Sequence, residues 1–194
     1  MRCTVRFMTS LPNMAETLIA LISTACGIVL KSAWDAWVDN RKSIELEIWK
    51  ARVNELEKRL SQFYWPIYLR LQRDNVVWSK ILDRDGQSDD EHRQLGRQIE
   101  KGVLLPNHSE IVKIIESNIH LAALDKDFEA QLLAYLRHID VYLSIRTVGI
   151  MDKDPIYFGE PYPPGFFEAV EKRLSKFQRE YEEVLRAQGV GQRS

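Results

Sequence analysis

"LEIWKARVNELEKRLSQFYWPI", Leu46 to Ile67, places apolar side chains at Leu46, Trp49, Val53, Leu56, Leu60, Phe63 and Ile67, alternately three and four residues apart. That spacing is a heptad seam, the period of a helix that buries one narrow stripe. With Leu46 as position a, Glu45 faces Lys50 and Arg52 faces Glu57, pairings of opposite sign across a parallel dimer. A long helix lying against its own domain would show the same seam. Trp49, Val53, Leu56 and Leu60 are therefore oligomerisation candidates, with self-packing as the alternative.

The end of the stretch is denser. Phe63 and Ile67 continue the seam, while Tyr64–Tyr68 and Trp65–Leu69 are i,i+4 neighbours on adjoining faces. A helix apolar nearly all round is buried on several sides. Pro66 leaves the carbonyl of Gln62 without its helical donor and should kink the helix. A membrane belt does not suit Trp65, roughly 42 Å of straight helix beyond Trp37. The stretch reads as the point where a narrow stalk widens into a core, in preference to a ligand platform.

Upstream lies "LPNMAETLIALISTACGIVLKSAWDAWVDNRKS", Leu11 to Ser43, with no charged residue between Thr17 and Leu30. A spanning helix wants about 20 mostly apolar residues, so this uncharged core is short. Lys31 stands where it could snorkel, and Trp34 and Trp37 follow at the place of an interfacial aromatic pair. The anchor would consist of Leu18, Ile19, Leu21, Ile22, Ile28, Val29, Leu30, Trp34 and Trp37, with lipid as partner. Arg41 and Lys42 come next, and the positive-inside bias puts everything after them in the cytoplasm. The leader offers Arg2 and Arg6, and Met8 or Met14 are alternative starts to Met1, since "MAETLIALI" from Met14 reads as a natural beginning. Rival readings are a soluble core helix, a signal peptide without a clear small-x-small cleavage site, and a lipoprotein site at Cys26 that lacks the usual leucine at Ser23. Ser23 and Gly27 form a small-xxx-small pair that lets helices approach closely in lipid, a second oligomerisation candidate.

Downstream the periodicity stays helical. Polar "DRDGQSDD", Asp83 to Asp90, breaks the chain before a short helix over Glu91–Lys101 that Gly102 would end. Asn107 reads as the N-cap of a third helix with Glu110 as capping-box partner, and Ile111, Ile114, Ile115 and Ile119 as its buried face. A fourth helix covers about Asp127–Thr147, striped by Phe128, Leu132, Leu136, Ile139 and Leu143. A fifth covers about Gly165–Gln188, striped by Phe167, Val170, Leu174, Phe177, Tyr181 and Val184 or Leu185. The connection from Gly149 to Phe167 is longer than a bundle needs, and Tyr157, Phe158 and Tyr162 are expected to fold back over the bundle end. The fold class is all-α: a membrane-spanning or membrane-inserted helix, an amphipathic heptad stalk, then an antiparallel helical bundle. Boundaries fall as leader 1–13, anchor 14–38, stalk 39–62, bundle 63–188 and flexible tail 189–194.

Chemistry is sparse. There is no Gly-rich phosphate loop, H-E-x-x-H, G-x-S-x-G or C-x-x-C, and Cys3 and Cys26 form neither a metal set nor a disulfide framework. Glu116 and His120 share a helix face at i,i+4, but no second pair completes a metal site. Asn107, His108 and Glu110 at a helix N-terminus form the one candidate anion or ligand site, with plain capping as the competing explanation. A net charge of −1 gives no field for nucleic acid. No catalytic residue, cofactor or metal is expected. The reading is a membrane-anchored, cytoplasm-facing binding and oligomerisation module of a bacterial inner membrane, homo-oligomeric, its bundle holding a protein or small ligand. One alternative is a membrane-acting effector of a bacterial defence or stress pathway that self-assembles on sensing a signal. Another is a soluble helical interaction protein with a buried first helix.

Overall fold

The computed structural model describes residues 14–82 and 90–191, and every regular element among them is helical. Expectations placed on the leader, on residues 83–89 and on the last residues of the tail, 192–194, lie outside the described residues. The α-helices are α1 (Met14–Lys58), α2 (Trp65–Val77), α3 (Asp90–Ile99), α4 (Leu105–Asn118), α5 (Lys126–Thr147) and α6 (Phe166–Gly191).

Two prolines shape this order in the same way. Pro66 and Pro106 each sit in the first turn of an α-helix, and each is preceded by a π-helical stretch, Arg59–Tyr64 and Glu100–Leu104. A proline ring clashes with the carbonyl four residues back and offers it no donor. Widening the preceding turn by one residue places the proline at a helix start, where a missing N–H costs little. The Trp65 N–H accordingly donates to the Leu60 carbonyl, and the Leu105 N–H to the Glu100 carbonyl, both five residues back. The second case corrects the sequence reading. The helix does not stop at Gly102 and Asn107 does not cap a new one, because Leu104 keeps helical angles (φ −69°, ψ −51°) and the winding continues.

The chain divides at Lys50/Ala51 into two compact units. In the first, the described side chains from Thr17 onward are exposed, apart from half-buried Val38 and Trp49. Leu30 is 71% exposed and Leu21 65%. Among the described residues, one helix is long and apolar enough to cross a membrane. Its 18-residue window has a mean hydropathy of 1.6 and is 0% buried. Trp34 and Trp37 stand 5.3 Å apart, and the Arg41 guanidinium lies over the Trp37 ring. A Cβ added at Gly27 would meet nothing within 4 Å, so the Ser23/Gly27 face is open.

The second unit has the core. The π turn before Pro66 packs on α4 and α6, α2 packs on the same two helices, and α5 packs on both as well. Phe63, Tyr64, Ile67, Ile111, Phe128, Tyr135, Ile139, Phe166 and Val170 have no exposed surface. Burying a large side chain of this kind contributes about 1.5–3 kcal/mol. The C-terminal half of the heptad seam lies here. Leu56, Leu60, Phe63 and Ile67 are core residues of this unit, which is the self-packing alternative, whereas Val53 is half-buried.

The α4–α5 turn is tied to that core. The Tyr64 hydroxyl donates to the Ala122 carbonyl, next to Ala123 at φ 46°, a left-handed conformation that costs a residue with a Cβ. Asp125 caps α5 by accepting from the Phe128 N–H at 2.9 Å, and Arg173 of α6 donates to Asp125 while lying over the Phe128 ring. The stripes expected on α5 and α6 are buried or half-buried except Leu185. On α4 one residue departs: the helix ends at Asn118 (φ −127°), so Ile119 turns outward and Leu121 and Ala122 enter the core instead. In the α5–α6 connection, Tyr157 and Phe158 point outward, and the prolines Pro155 and Pro163 tuck in. Proline loses less entropy on burial than an aromatic, and two fixed φ angles set the path. Tyr162 does reach the helices, edge-on to Tyr135 and His138.

Candidate functional site

The second unit holds a cavity of about 660 Å³, lined among the described residues from α2, α3, α4, α5, two π turns and the α5–α6 connection. Sites for small molecules commonly have this size and form where helices diverge. Two of the π turns supply part of the wall: Trp78 comes from Trp78–Leu82, and Glu100 and Leu104 from Glu100–Leu104. An extra residue per turn rotates the side chains that follow, so π turns often re-aim residues at functional sites.

Asp74 is at the centre. It continues the seam one heptad after Ile67, and so faces inward although it is charged. The residue is 8% exposed, and neither carboxylate oxygen has a hydrogen-bond partner. Burial pushes its carboxyl up to about 6, against the smaller opposing pulls of the Asn107 amide and Arg73. His108 Nδ1 stands 3.8 Å from Asp74 Oδ2, but this is no ion pair. Burial lowers the His108 imidazole to about 4, with His138 adding to the effect, so it is neutral near pH 7. Nδ1 lies 2.9 Å from the buried Tyr135 hydroxyl. A buried phenol needs an acceptor for its proton, so Tyr135 donates to Nδ1 and the His108 proton sits on Nε2.

The other carboxylates of the wall are engaged. Glu100 accepts from the Tyr142 hydroxyl at 2.5 Å and from Arg146 Nε at 2.7 Å, and Asp154 accepts from Arg146 Nη2 at 3.2 Å. Arg146 also donates to the carbonyls of Ile150 and Lys153, which fixes the start of the α5–α6 connection. Its desolvation is outweighed by Glu100, and it is held more firmly charged than a free arginine. Burial, then Glu100, raise the Tyr142 phenol well above its usual range; burial, then the Asp74 charge, do the same for Tyr162. His138 Nδ1–H donates to the Glu160 carbonyl at 2.8 Å.

The three residues read as an N-terminal anion site do not act together. Asn107 is buried, donates to the Arg70 carbonyl at 2.9 Å and accepts from Arg73, and so clamps α4 to α2. Glu110 is exposed and pairs with Lys113 at 2.7 Å on its own helix. The free backbone donors that an anion would need are absent there, because the helix runs on through Leu104. His108 alone belongs to the cavity, in company with Asp74, Trp78, Tyr142 and Tyr162, which the sequence reading did not single out. The one signal was Asp74 itself, a carboxylate on the inward period of an apolar seam. Among the described residues, no group of three or more His, Cys, Asp or Glu could hold a metal ion.

No protein-family model, curated protein or solved structure matches the chain.

Proposed function

We propose that this chain is a membrane-anchored binding module, its first unit inserted in a bilayer and its second an antiparallel helical bundle that takes a small ligand in the Asp74 cavity. One observation carries the anchoring: the apolar window of α1 is 0% buried. So large a continuous apolar surface on a water-soluble chain would be an aggregation liability, whereas in hydrocarbon it is satisfied on every side. The tilted Trp34/Trp37 pair and Arg41 after it have the composition of an interfacial belt on the cytoplasmic side. The ligand role rests on the cavity, whose described wall mixes the aromatic rings of Trp78, Tyr142 and Tyr162 with polar side chains.

Fractionation of the full-length chain tests the anchoring. The expected result is a protein that stays with membranes through an alkaline carbonate wash and leaves only in detergent. Recovery in the soluble fraction would sink the anchor and favour the soluble interaction protein. Orientation is read by protease digestion of the second unit in inverted against right-side-out vesicles.

The open Ser23/Gly27 face favours a second reading, a self-assembling membrane effector. Gly27→Leu should then reduce the crosslinked oligomer and any growth inhibition on expression. An unchanged oligomer would remove that reading's basis.

A further inference from the structure

Rings make up much of the cavity wall. His108, Tyr142, His138 and Tyr162 all line it, and their ring centroids follow one another at 6.3, 6.3 and 5.5 Å. Trp78, 60% exposed, adds a fifth ring to the lining. The charges of the wall are shut in or already paired. Both Asp74 oxygens have essentially no accessible surface, and Glu100 and Asp154 are paired with Arg146. No lysine or arginine is among the described lining residues. His108 differs. Tyr135 occupies its Nδ1, its proton is on Nε2, and among the described residues nothing accepts from that N–H. Nε2 is not sealed from solvent, and 13% of the side chain's surface stays open. That opening is onto the cavity the residue lines, so an unpaired donor faces it.

We propose that the cavity binds an uncharged heteroaromatic ring, stacked on the aromatic wall, with an acceptor on its edge that takes the His108 Nε2–H. This deepens the reading of the second unit as a ligand-binding module and rests on it. The rings select a planar aromatic body, because offset and edge-to-face contacts between π systems add to the burial of area. The donor selects the edge. A ligand without an acceptor would shut the N–H away from water unpaired. The donor is also fixed: to offer a lone pair at Nε2 instead, His108 would have to move its proton to Nδ1 and give up the bond from Tyr135. Tyr135 is not among the described lining residues, so it acts on a ligand only by positioning that proton. Charge is selected against in both signs. An anion finds no cation among the described lining residues, and a cation finds no carboxylate that is both open and unpaired.

The test is isothermal titration of the full chain in neutral-detergent micelles near pH 7, with empty micelles as the blank and a matched set of bicyclic probes. Quinoline has a ring acceptor, indole only an N–H donor, N-methylquinolinium a positive charge and 2-naphthoate a negative one. Quinoline should bind tightest. Indole and N-methylquinolinium should each bind about tenfold or more weaker, the scale of a buried donor left unpaired. The naphthoate should not bind. His108→Phe keeps a ring but removes the donor, and should bring quinoline down to the level of indole. Tyr135→Phe frees the His108 proton, and should narrow the lead of quinoline over indole about threefold or more, a preference that loss of packing alone would not alter. Trp78→Ala, at an exposed position, should weaken quinoline and indole alike, by about threefold. Indole or either ion binding as tightly as quinoline, or a quinoline lead unchanged in both His108→Phe and Tyr135→Phe, overturns the assignment of the class while the cavity remains a ligand site. Absence of binding by every member of the set overturns both.

Discussion

The run from Thr17 to Leu30 and the run from Phe63 to Leu71 are both helical and both rich in large apolar side chains. In the first, every side chain described is exposed; in the second, Phe63, Tyr64 and Ile67 have no exposed surface. The difference lies in what surrounds the apolar residues around the helix. Exposed Ser61 and Gln62 before the second run and Arg73 after it mark a wet side on its helix, which gives the apolar residues a direction in which to pack. The first run has no charge on any face, so no direction is preferred. Amphipathicity, more than hydrophobicity, is what commits a helix to a partner.

Charging the first run should give the largest effect. Arginine near the middle of a spanning helix costs roughly 3 kcal/mol per residue. Leu21→Arg combined with Val29→Arg should therefore move the protein out of the membrane fraction, while the thermal unfolding of the second unit, followed by circular dichroism, stays where it was. A shifted melting curve would mean that the first run stabilises the core after all.

The mirror substitution acts on the other side. Phe63→Ala empties a site with no exposed surface and should lose about 3–5 kcal/mol in urea unfolding. Membrane pelleting of the same variant should be unchanged. Loss of both properties together would break the separation between the two runs.

A smaller effect sharpens the comparison inside the second unit, where Asp74 is the residue that defies the pattern. Its carboxyl is raised from 3.8 to about 6, so its contribution to stability is full below pH 3.8 and is lost as pH rises through about 6. Asp74→Asn should then stabilise the ligand-free protein above pH 6 by up to about 3 kcal/mol, and match the parent near pH 4. His108 runs the opposite way: lowered from 6.5 to about 4, it contributes above pH 6.5 and loses that as pH falls through about 4. With Asp74 removed, stability should rise steadily with pH between those values. Equal melting curves for parent and variant above pH 6 would show that Asp74 has a partner.

Helix periodicity made much of this legible. The stripes of α5 and α6 lie where three-and-four spacing put them, with Asp125 one residue ahead of α5 as its cap. The errors have one source. Gly102, Pro106 and Asn107 look like a stop and a restart when read as local signals, but a π turn absorbs the proline and the helix passes through. With the helix end gone, the anion site at Asn107, His108 and Glu110 went too. The cavity residues come from α2, two π turns, α3, α4, α5 and the connection before α6, and no local pattern links Asp74 to Tyr142 or Tyr162.

Sequence by itself determined the helical class, the uncharged apolar run at the N-terminal side, and which face of most later helices turns inward, because those follow from a period of 3.6 residues and the sign of hydration. Only the tertiary structure decided that the second half of the heptad seam serves the chain's own core, that two prolines are carried by π turns, and that a carboxylate on the seam is buried. These depend on which helices meet. The energy of a buried charge or a widened turn is set by neighbours far away in the chain, and a local pattern carries no record of them.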